Sequence, residues 1–416
     1  MKVLLVNKFH YKKGGSETYY FTLAEALKAR GHEVIFFSMK DPERNLPCEQ
    51  EKYFVSNASV GGALKSKINM VTRMAYSKEA YRNITQLLKD EKPDLVMLNN
   101  IHRQITLSVI DAVKDFDSKL PIFWTMHDFA TACPAYTMLD GAGKICERCL
   151  DGDFGHCVDN RCMKGSKLMS MLVKYEADFI RRKRLYDKVD LYICPSEFIM
   201  RMLQHAGFTK REIVMMRNPL PMDTQYKLSD TTGDYVLYFG RLSEEKGVRV
   251  LIDAVSKVGC RLEIVGTGPL EDELKDYVKR AGAKGVTFRG FQTGRALTDY
   301  VAGSRCVVVP SVWYENGPYN VMEAMAIGKP LIVSHYGGLP ELVEHGKNGY
   351  VYHAADGNAA DALADHIRKM FALTEDEYAG MARSSLEKAK EMFDAEQYVV
   401  GIEKFYSMSN NMGRQC

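Results

Sequence analysis

Four charged residues in the second half of the chain are spaced for work on an anion and a diol. Arg241 and Lys246 lie in Gly240-Arg241-Leu242-Ser243-Glu244-Glu245-Lys246-Gly247. The apolar pattern puts this run between a strand over 235–239 and a helix over 248–258, so both cations sit on a strand-to-helix loop. Two cations there can neutralise a diphosphate, although an ordinary solvated pair reads the same way. Glu315 and Glu323 are eight residues apart. The first falls in the loop after a short buried strand over 306–309. The second falls on the helix that Pro318 opens at an early position and that Gly328 and Pro330 end. Backbone N–H groups around Gly317, Tyr319 and Asn320 make an anion site at that helix start. A carboxylate one turn further in repels an anion, but it accepts two hydrogen bonds from a diol. Phosphate and ribose together mean a nucleotide.

The first half offers weaker signals. Gly14-Gly15-Ser16-Glu17 follows the first strand, and a glycine pair there lets backbone approach a ligand closely. The spacing is not G-x-G-x-x-G, which disfavours nicotinamide binding; a flexible turn is the plain alternative. His127 and Asp128 follow a strand over 121–124, at the edge where α/β sheets place ligands, and a packing or capping role competes. Between Cys133 and Cys162 the chain carries five cysteines, with Cys146-x2-Cys149 and Cys157-x4-Cys162 as two close pairs. Four thiolates so spaced can close a structural zinc site in an insert with little core of its own, and His156 or Cys133 can substitute. An iron–sulfur cluster and a metal-free loop are the other readings. The paired aspartates Asp115-x-Asp117 and Asp151-x-Asp153 are read as a helix end and as part of this insert rather than as a catalytic metal site.

These residues need a scaffold. Apolar runs at 3–6, 33–37, 94–98, 121–124, 190–194 and 213–216 alternate with helical stretches. After Asn218-Pro219-Leu220-Pro221 the pattern restarts at 235–239, 261–265, 286–288 and 306–309. Such alternation predicts parallel, doubly wound sheets. Helical spacing then runs over 358–373, 375–393 and 395–408. A length of 416 residues leaves room for two or three cores. The net charge of +3 gives no argument for nucleic acid. No run reaches the roughly 18 apolar residues of a spanning helix, and Met1–Phe9 does not read as a signal peptide. The expectation is a soluble cytoplasmic protein, its cysteines reduced. Two basic stretches with interleaved Leu, Met and Tyr, 65–82 and 164–188, suit peripheral contact with an anionic membrane at the inner face of the plasma membrane; a solvated helix face is the bland alternative.

The linked motifs Glu315-x7-Glu323, Ala324-Met325-Ala326-x-Gly328-x-Pro330, Gly337-Gly338-x-Pro340-Glu341 and Asn348-Gly349 resemble the retaining glycosyltransferases of family 4. The resemblance implies a GT-B fold: an α/β protein of two Rossmann-like, doubly wound parallel-sheet lobes facing a cleft. It implies an acceptor-side lobe over 1–217 with the cysteine-rich insertion 133–162, a nucleotide-sugar lobe over 218–392, and a final helix, 393–416, returning to the first lobe. By the same resemblance Arg241 and Lys246 contact the leaving diphosphate, Glu315 holds sugar hydroxyls and Glu323 the ribose. Gly14 and Gly15 lie against the diphosphate or the acceptor, His127 lies near the donor sugar, and the loop with Gly290 and Phe291 meets the base. Asn316-Gly317-Pro318-Tyr319 departs from the family's Phe-Gly and removes one donor from the phosphate cradle. The implied reaction is metal-independent sugar transfer, with retention, from a nucleoside-diphosphate sugar (UDP first, GDP second) to a glycan or lipid-linked acceptor in cell-surface polysaccharide or glycolipid synthesis. The alternatives are a non-catalytic GT-B binding subunit and a nucleotide-sugar epimerase.

Overall fold

The computed structural model describes residues 1–57, 75–229, 233–353 and 357–412. It divides into two compact units, one of Met1–Met222 with the segment from Ala395 on, the other of Asp223–Asp394. The units therefore change at Asp223 and Ala395, where the motifs had put the changes at 218 and 393.

The first unit is built on β1 (Lys2–Val6), β2 (Glu33–Phe37), β3 (Leu95–Leu98), β4 (Ile122–Thr125), β5 (Leu191–Cys194) and β6 (Glu212–Met215). They pair in parallel in the order β2-β1-β3-β4-β5-β6. Every residue of β3, β4 and β5 is buried. Helices on both faces of a parallel sheet require that, which is why these strands read as continuous apolar runs rather than alternating ones. The last helix, Ala395–Met412, closes this unit. Val399 and Ile402 are fully buried, and the Tyr398 hydroxyl meets the Tyr19 hydroxyl at 2.8 Å. Arg30 pairs with Glu396 and Glu403 on the rim. Each buried aliphatic side chain contributes about 1.5–3 kcal/mol, each exposed pair at most about 1, so apolar burial holds the helix down.

The second unit carries β7 (Tyr235–Phe239), β8 (Arg261–Val265), β9 (Val286–Phe288), β10 (Cys306–Val309), β11 (Leu331–Ser334) and β12 (Gly349–Tyr352). Its order, β12-β11-β10-β7-β8-β9, is also parallel throughout. The sequence pattern had shown four of these strands. β11 lies between the Gly-Lys-Pro and Gly-Gly motifs and β12 opens on the glycine of Asn-Gly, so both were passed over for the motifs beside them. Chain direction reverses outward from β7 and β10 here, and from β1 and β3 in the first unit. An open α/β sheet parts its loops at such a switch point and leaves a crevice beyond the strands' carboxyl ends. No helix among the described residues is long and apolar enough to cross a membrane.

Candidate functional site

The β7/β10 switch point gathers the charged residues of the second unit. Leaving β7, the chain turns through Gly240 and Arg241 to Lys246 and the helix Val248–Val258. Gly247, at φ +65°, lies so close to the end of β10 that an added Cβ would stand 2.0 Å from the Pro310 carbonyl oxygen. That approach brings Lys246 to Glu315, with Nζ 2.7 Å from Oε1. Ser311 donates to the same oxygen at 2.5 Å, and the ammonium also lies 5.0 Å from the Trp313 ring centre. Glu315 is only 5% exposed. Burial alone would raise its pKa; the Lys246 ion pair and the hydrogen bonds from Lys246 and Ser311 outweigh it and hold the carboxyl below its usual range. Arg241 is exposed; its carbonyl accepts from the Tyr238 hydroxyl at 2.7 Å, while its guanidinium makes no hydrogen bond or ion pair among the described residues. Its guanidinium is open to an incoming anion.

Glycines set the loop that carries Glu315. Gly337, at φ +68°, bridges Glu315 in parallel, and a Cβ there would stand 2.3 Å from the Glu315 carbonyl oxygen. Gly338 donates its N–H to that oxygen at 2.7 Å. The Gly-Gly motif thus seats the carboxylate, a role no spacing revealed. Asn348 does similar work further along, bonding Glu344 N–H and the Leu342 carbonyl through its two amide atoms. Ser311 was also missed; nothing in its sequence context marks it.

The helix Tyr319–Ala326 starts beside this loop, after Gly317 at φ +75°. Pro318 stands just before the helix as its N-cap, at φ −72° and ψ 133°, rather than inside its first turn. The extended ψ is what a proline's neighbour geometry favours, and the ring leaves no N–H to offer. Asn320, expected to bind the nucleotide, donates its amide to the Phe239 carbonyl at 3.0 Å and so fastens the helix start to the end of β7. Tyr319 is 9% exposed. Glu323, one turn in, is half-buried, and its carboxylate has no partner among the described residues. Burial pushes its pKa up to about 7. Gly290 takes φ +66° and accepts the Gly266 N–H at 2.7 Å; Phe291 beside it is 71% exposed.

The first unit's switch point is polar and less tied. Gly14 precedes the helix Gly15–Ala29 at φ −166°, and an added Cβ would meet only the Glu17 carboxylate, at 3.8 Å. Neither backbone nor packing demands glycine there. His127 donates from Nε2 to Asn99 Oδ1 at 3.2 Å and meets the Tyr19 ring edge-on at 4.7 Å. Burial pushes its pKa down to about 4, so the ring is neutral with Nδ1 as its free acceptor. Asp128 spends one oxygen on the Ala130 N–H, a capping role, and its pKa is raised by burial. Asn99 is 2% exposed, yet its Nδ2 has no partner; Thr131, equally buried, is alike at Oγ1. Lys8 forms no ion pair among the described residues and lies against the Phe9 ring at 4.7 Å. Sequence reasoning singled out neither Lys8 nor Asn99.

The cysteine-rich insertion folds as a bridge between Leu139 and Ile145, a 3-10 turn over Arg148–Asp151 and a short helix over Gly155–Asp159. Cys157 and Cys162 share a thiol–thiol hydrogen bond that pulls Cys162 down and pushes Cys157 up. Burial raises Cys149 to about 12 and Cys133 to about 11. Among the described residues no three His, Cys, Asp or Glu side chains form a group able to hold a metal ion, although Cys149 lies within electrostatic reach of Cys146 and Cys162, members with Cys157 of the expected zinc set. Of the basic stretch 65–82, residues 65–74 lie outside the described residues, while Lys78 and Arg82 sit on the helix Lys78–Glu91.

With this geometry in place, comparison with known proteins is informative. A profile of Glycosyltransferase Family 4 matches residues 13–224, and one of Glycosyl transferases group 1 matches residues 223–388. The putative colanic acid biosynthesis glycosyltransferase WcaL of Escherichia coli is 28% identical over 236 residues, 53% of this chain and 57% of that protein. Among solved structures, sucrose-phosphate synthase from Thermosynechococcus elongatus superposes with a TM-score of 0.71 at 19% identity, covering 98% of both chains. HepE of Anabaena, in complex with UDP-glucose, does so with a TM-score of 0.64 at 20% identity, covering 98% of this chain and 100% of its own. Both likenesses show the GT-B fold. The chain spans between 31% and 59% of the lengths of the first curated relatives it matches.

Proposed function

From the premise that this chain belongs to glycosyltransferase family 4, we propose that it moves a sugar from a nucleoside-diphosphate sugar to an acceptor hydroxyl, with retention at the anomeric carbon. A UDP-sugar is the favoured donor and a GDP-sugar the second. The acceptor is a glycan or a lipid-linked saccharide in cell-surface polysaccharide or glycolipid synthesis, the setting named for the WcaL relative. The observation that carries the reading is the grouping at one switch point of a buried Lys246–Glu315 pair, an unpaired Arg241 and an unpaired Glu323.

In this reading the bond from the anomeric carbon to the β-phosphate oxygen breaks while the acceptor oxygen bonds the same face of that carbon. The acceptor's proton passes to the departing phosphate. Negative charge grows on the diphosphate, and Arg241, Lys246 and the positive end of the helix at Tyr319 stabilise it where it grows. These groups take the part that a divalent cation takes in other transferases. Lys246 gives up part of its hold on Glu315 as the phosphate arrives, which leaves that carboxylate to accept from the sugar hydroxyls. Glu323 accepts from the ribose diol, and the exposed Phe291 ring offers a face to the base.

Release of nucleoside diphosphate, measured with and without acceptor, tests this. Release that rises only with acceptor, falls in Glu315→Ala and survives chelator is expected. No release, with no effect of Glu315→Ala on nucleotide-induced stabilisation, overturns it in favour of a binding subunit. Loss with chelator and recovery with manganese overturns the metal-independent part.

A further inference from the structure

The helix Lys167–Arg182 breaks the rule that a surface helix turns polar residues outward. Its inward face is ordinary: Ser170, Val173, Glu176 and Ile180 are buried. Its outward face carries Leu168 at 65% exposure, Met171 at 50% and Tyr175 at 44%. At 3.6 residues per turn these three fall within roughly 60° of one another and span about 10 Å of helix axis. A polar side chain at such positions costs nothing, so three large apolar ones in a row call for a covering medium.

The charge around the stripe indicates which medium. Lys164 and Lys167 lie at its start, Arg182 and Lys183 at its end, and all four are exposed. The side chains of Lys164, Lys167 and Lys183 have no hydrogen bond or ion pair among the described residues, and that of Arg182 bonds only a carbonyl of its own helix. The outward carboxylate, Asp178, is already taken by Lys174 at 2.6 Å. A second copy of the chain packed about a two-fold axis would set these uncompensated cations against their equivalents, which is repulsive. A lipid surface rich in anionic headgroups matches both features: apolar side chains enter the acyl boundary by about 5–10 Å while cations remain at headgroup level and Tyr sits at the interface.

We propose that the face Leu168-Met171-Tyr175, framed by Lys164, Lys167, Arg182 and Lys183, docks the protein on an anionic bilayer surface. This goes beyond sugar transfer and does not depend on it. The test is co-sedimentation of the full chain with vesicles of phosphatidylcholine alone and of phosphatidylcholine with one-third phosphatidylglycerol. Binding is expected to the anionic vesicles, falling as salt rises. The triple variant Leu168→Ser, Met171→Ser, Tyr175→Ser is expected to bind at least tenfold more weakly. The variant Lys164→Glu, Lys167→Glu, Lys183→Glu is expected to lose the anionic preference. Its replaced side chains are exposed and make no hydrogen bond or ion pair among the described residues, and an unchanged nucleotide-induced rise in Tm checks that the variant folds. Equal binding to both vesicle types by the wild-type chain, or unchanged binding by both variants, overturns the proposal. So does a wild-type dimer in the ultracentrifuge that the triple variant dissociates, since the face then belongs to a second copy.

Discussion

The two switch points are built from the same kind of sheet and treat their polar groups in opposite ways. At β7/β10 the charged groups are held by backbone that admits no slack: Gly247 against Pro310, Gly337 against Glu315, and Gly266 against Gly240, where a Cβ would stand 1.9 Å from a carbonyl oxygen. At β1/β3 the groups are left over. Asn99 and Thr131 keep buried atoms unpaired, Lys8 has no counter-ion, and Gly14 has room around it. The first arrangement suits a ligand part that never changes, a diphosphate on a nucleotide, because preorganised charge stabilises a transition state without reorganising. The second suits a partner supplied from outside, which completes hydrogen bonds the fold leaves open.

The largest effects should therefore come from the tied site. Glu315→Gln and Lys246→Ala should each lower kcat about 10²–10³-fold, the loss typical of one preorganised charge or donor. The double variant should lose little more than either single one, because the two side chains act as a pair at 2.7 Å. Additive losses in steady-state kinetics would show that they work separately and would remove the coupling on which the contrast stands.

Next in size is a pH effect. Glu323 has a folded pKa of about 7, raised by burial from 4.5, and a diol is bound by its ionised form. Below pH 7 the proton must leave before the nucleotide binds, so Kd should rise about tenfold between pH 8 and pH 6. The stability sign is opposite: the raised pKa means the fold prefers the protonated group, so ligand-free stability falls as pH rises from 4.5 towards 7. Glu323→Gln should flatten the Kd profile and raise the ligand-free Tm at pH 8. A flat wild-type profile by calorimetry would place the ribose elsewhere.

A pair of glycine substitutions tests the contrast without touching charge. Gly337→Ala forces a left-handed alanine into the Glu315 backbone and should cost about 1–3 kcal/mol, a fall in Tm of roughly 2–4 °C for each. Gly14→Ala should move Tm by no more than that smallest step, while raising KM if a ligand uses the space. Equal falls in Tm would mean both loops are equally built.

How much of this was legible in the residues follows the same division. The parallel strands were readable because burial on both faces writes them as apolar runs; Arg241, Lys246, Glu315 and Glu323 stood out through the linked motifs around them, since a charge in a loop is ordinary by itself. β11 and β12 were not read as strands, because they lie beside motifs that drew attention as chemistry. Nor was the structural use of those motifs: Gly337, Gly338 and Asn348 serve close backbone approaches that exist only between segments distant in sequence. Asn320 was read for its backbone N–H at the helix start; its side chain has a further use, fastening that start to the end of β7, which the sequence does not show. Cys146, Cys149, Cys157 and Cys162 had metal-like spacing, but spacing does not say where a thiol points; burial makes Cys149 a weak acid, while the hydrogen bond with Cys157 pulls Cys162 the other way.

The smallest expected effect belongs to the untied edge, and it is the sharpest test of what that edge is for. Asn99→Leu keeps the branched shape at Cγ but removes two things at once. It deletes the unpaired Nδ2, a gain of about 1–3 kcal/mol for a buried polar group relieved, and it strips His127 Nε2 of its acceptor, a loss of similar size. The two nearly cancel, so Tm should hardly change. An edge that served only packing would then show no phenotype. If Asn99 is kept polar for an incoming acceptor, the variant should raise acceptor KM several-fold and leave donor KM where it was. A rise in donor KM instead would put Asn99 on the donor side, and the contrast between a fixed and an adaptable switch point would fail at the residue chosen to reveal it.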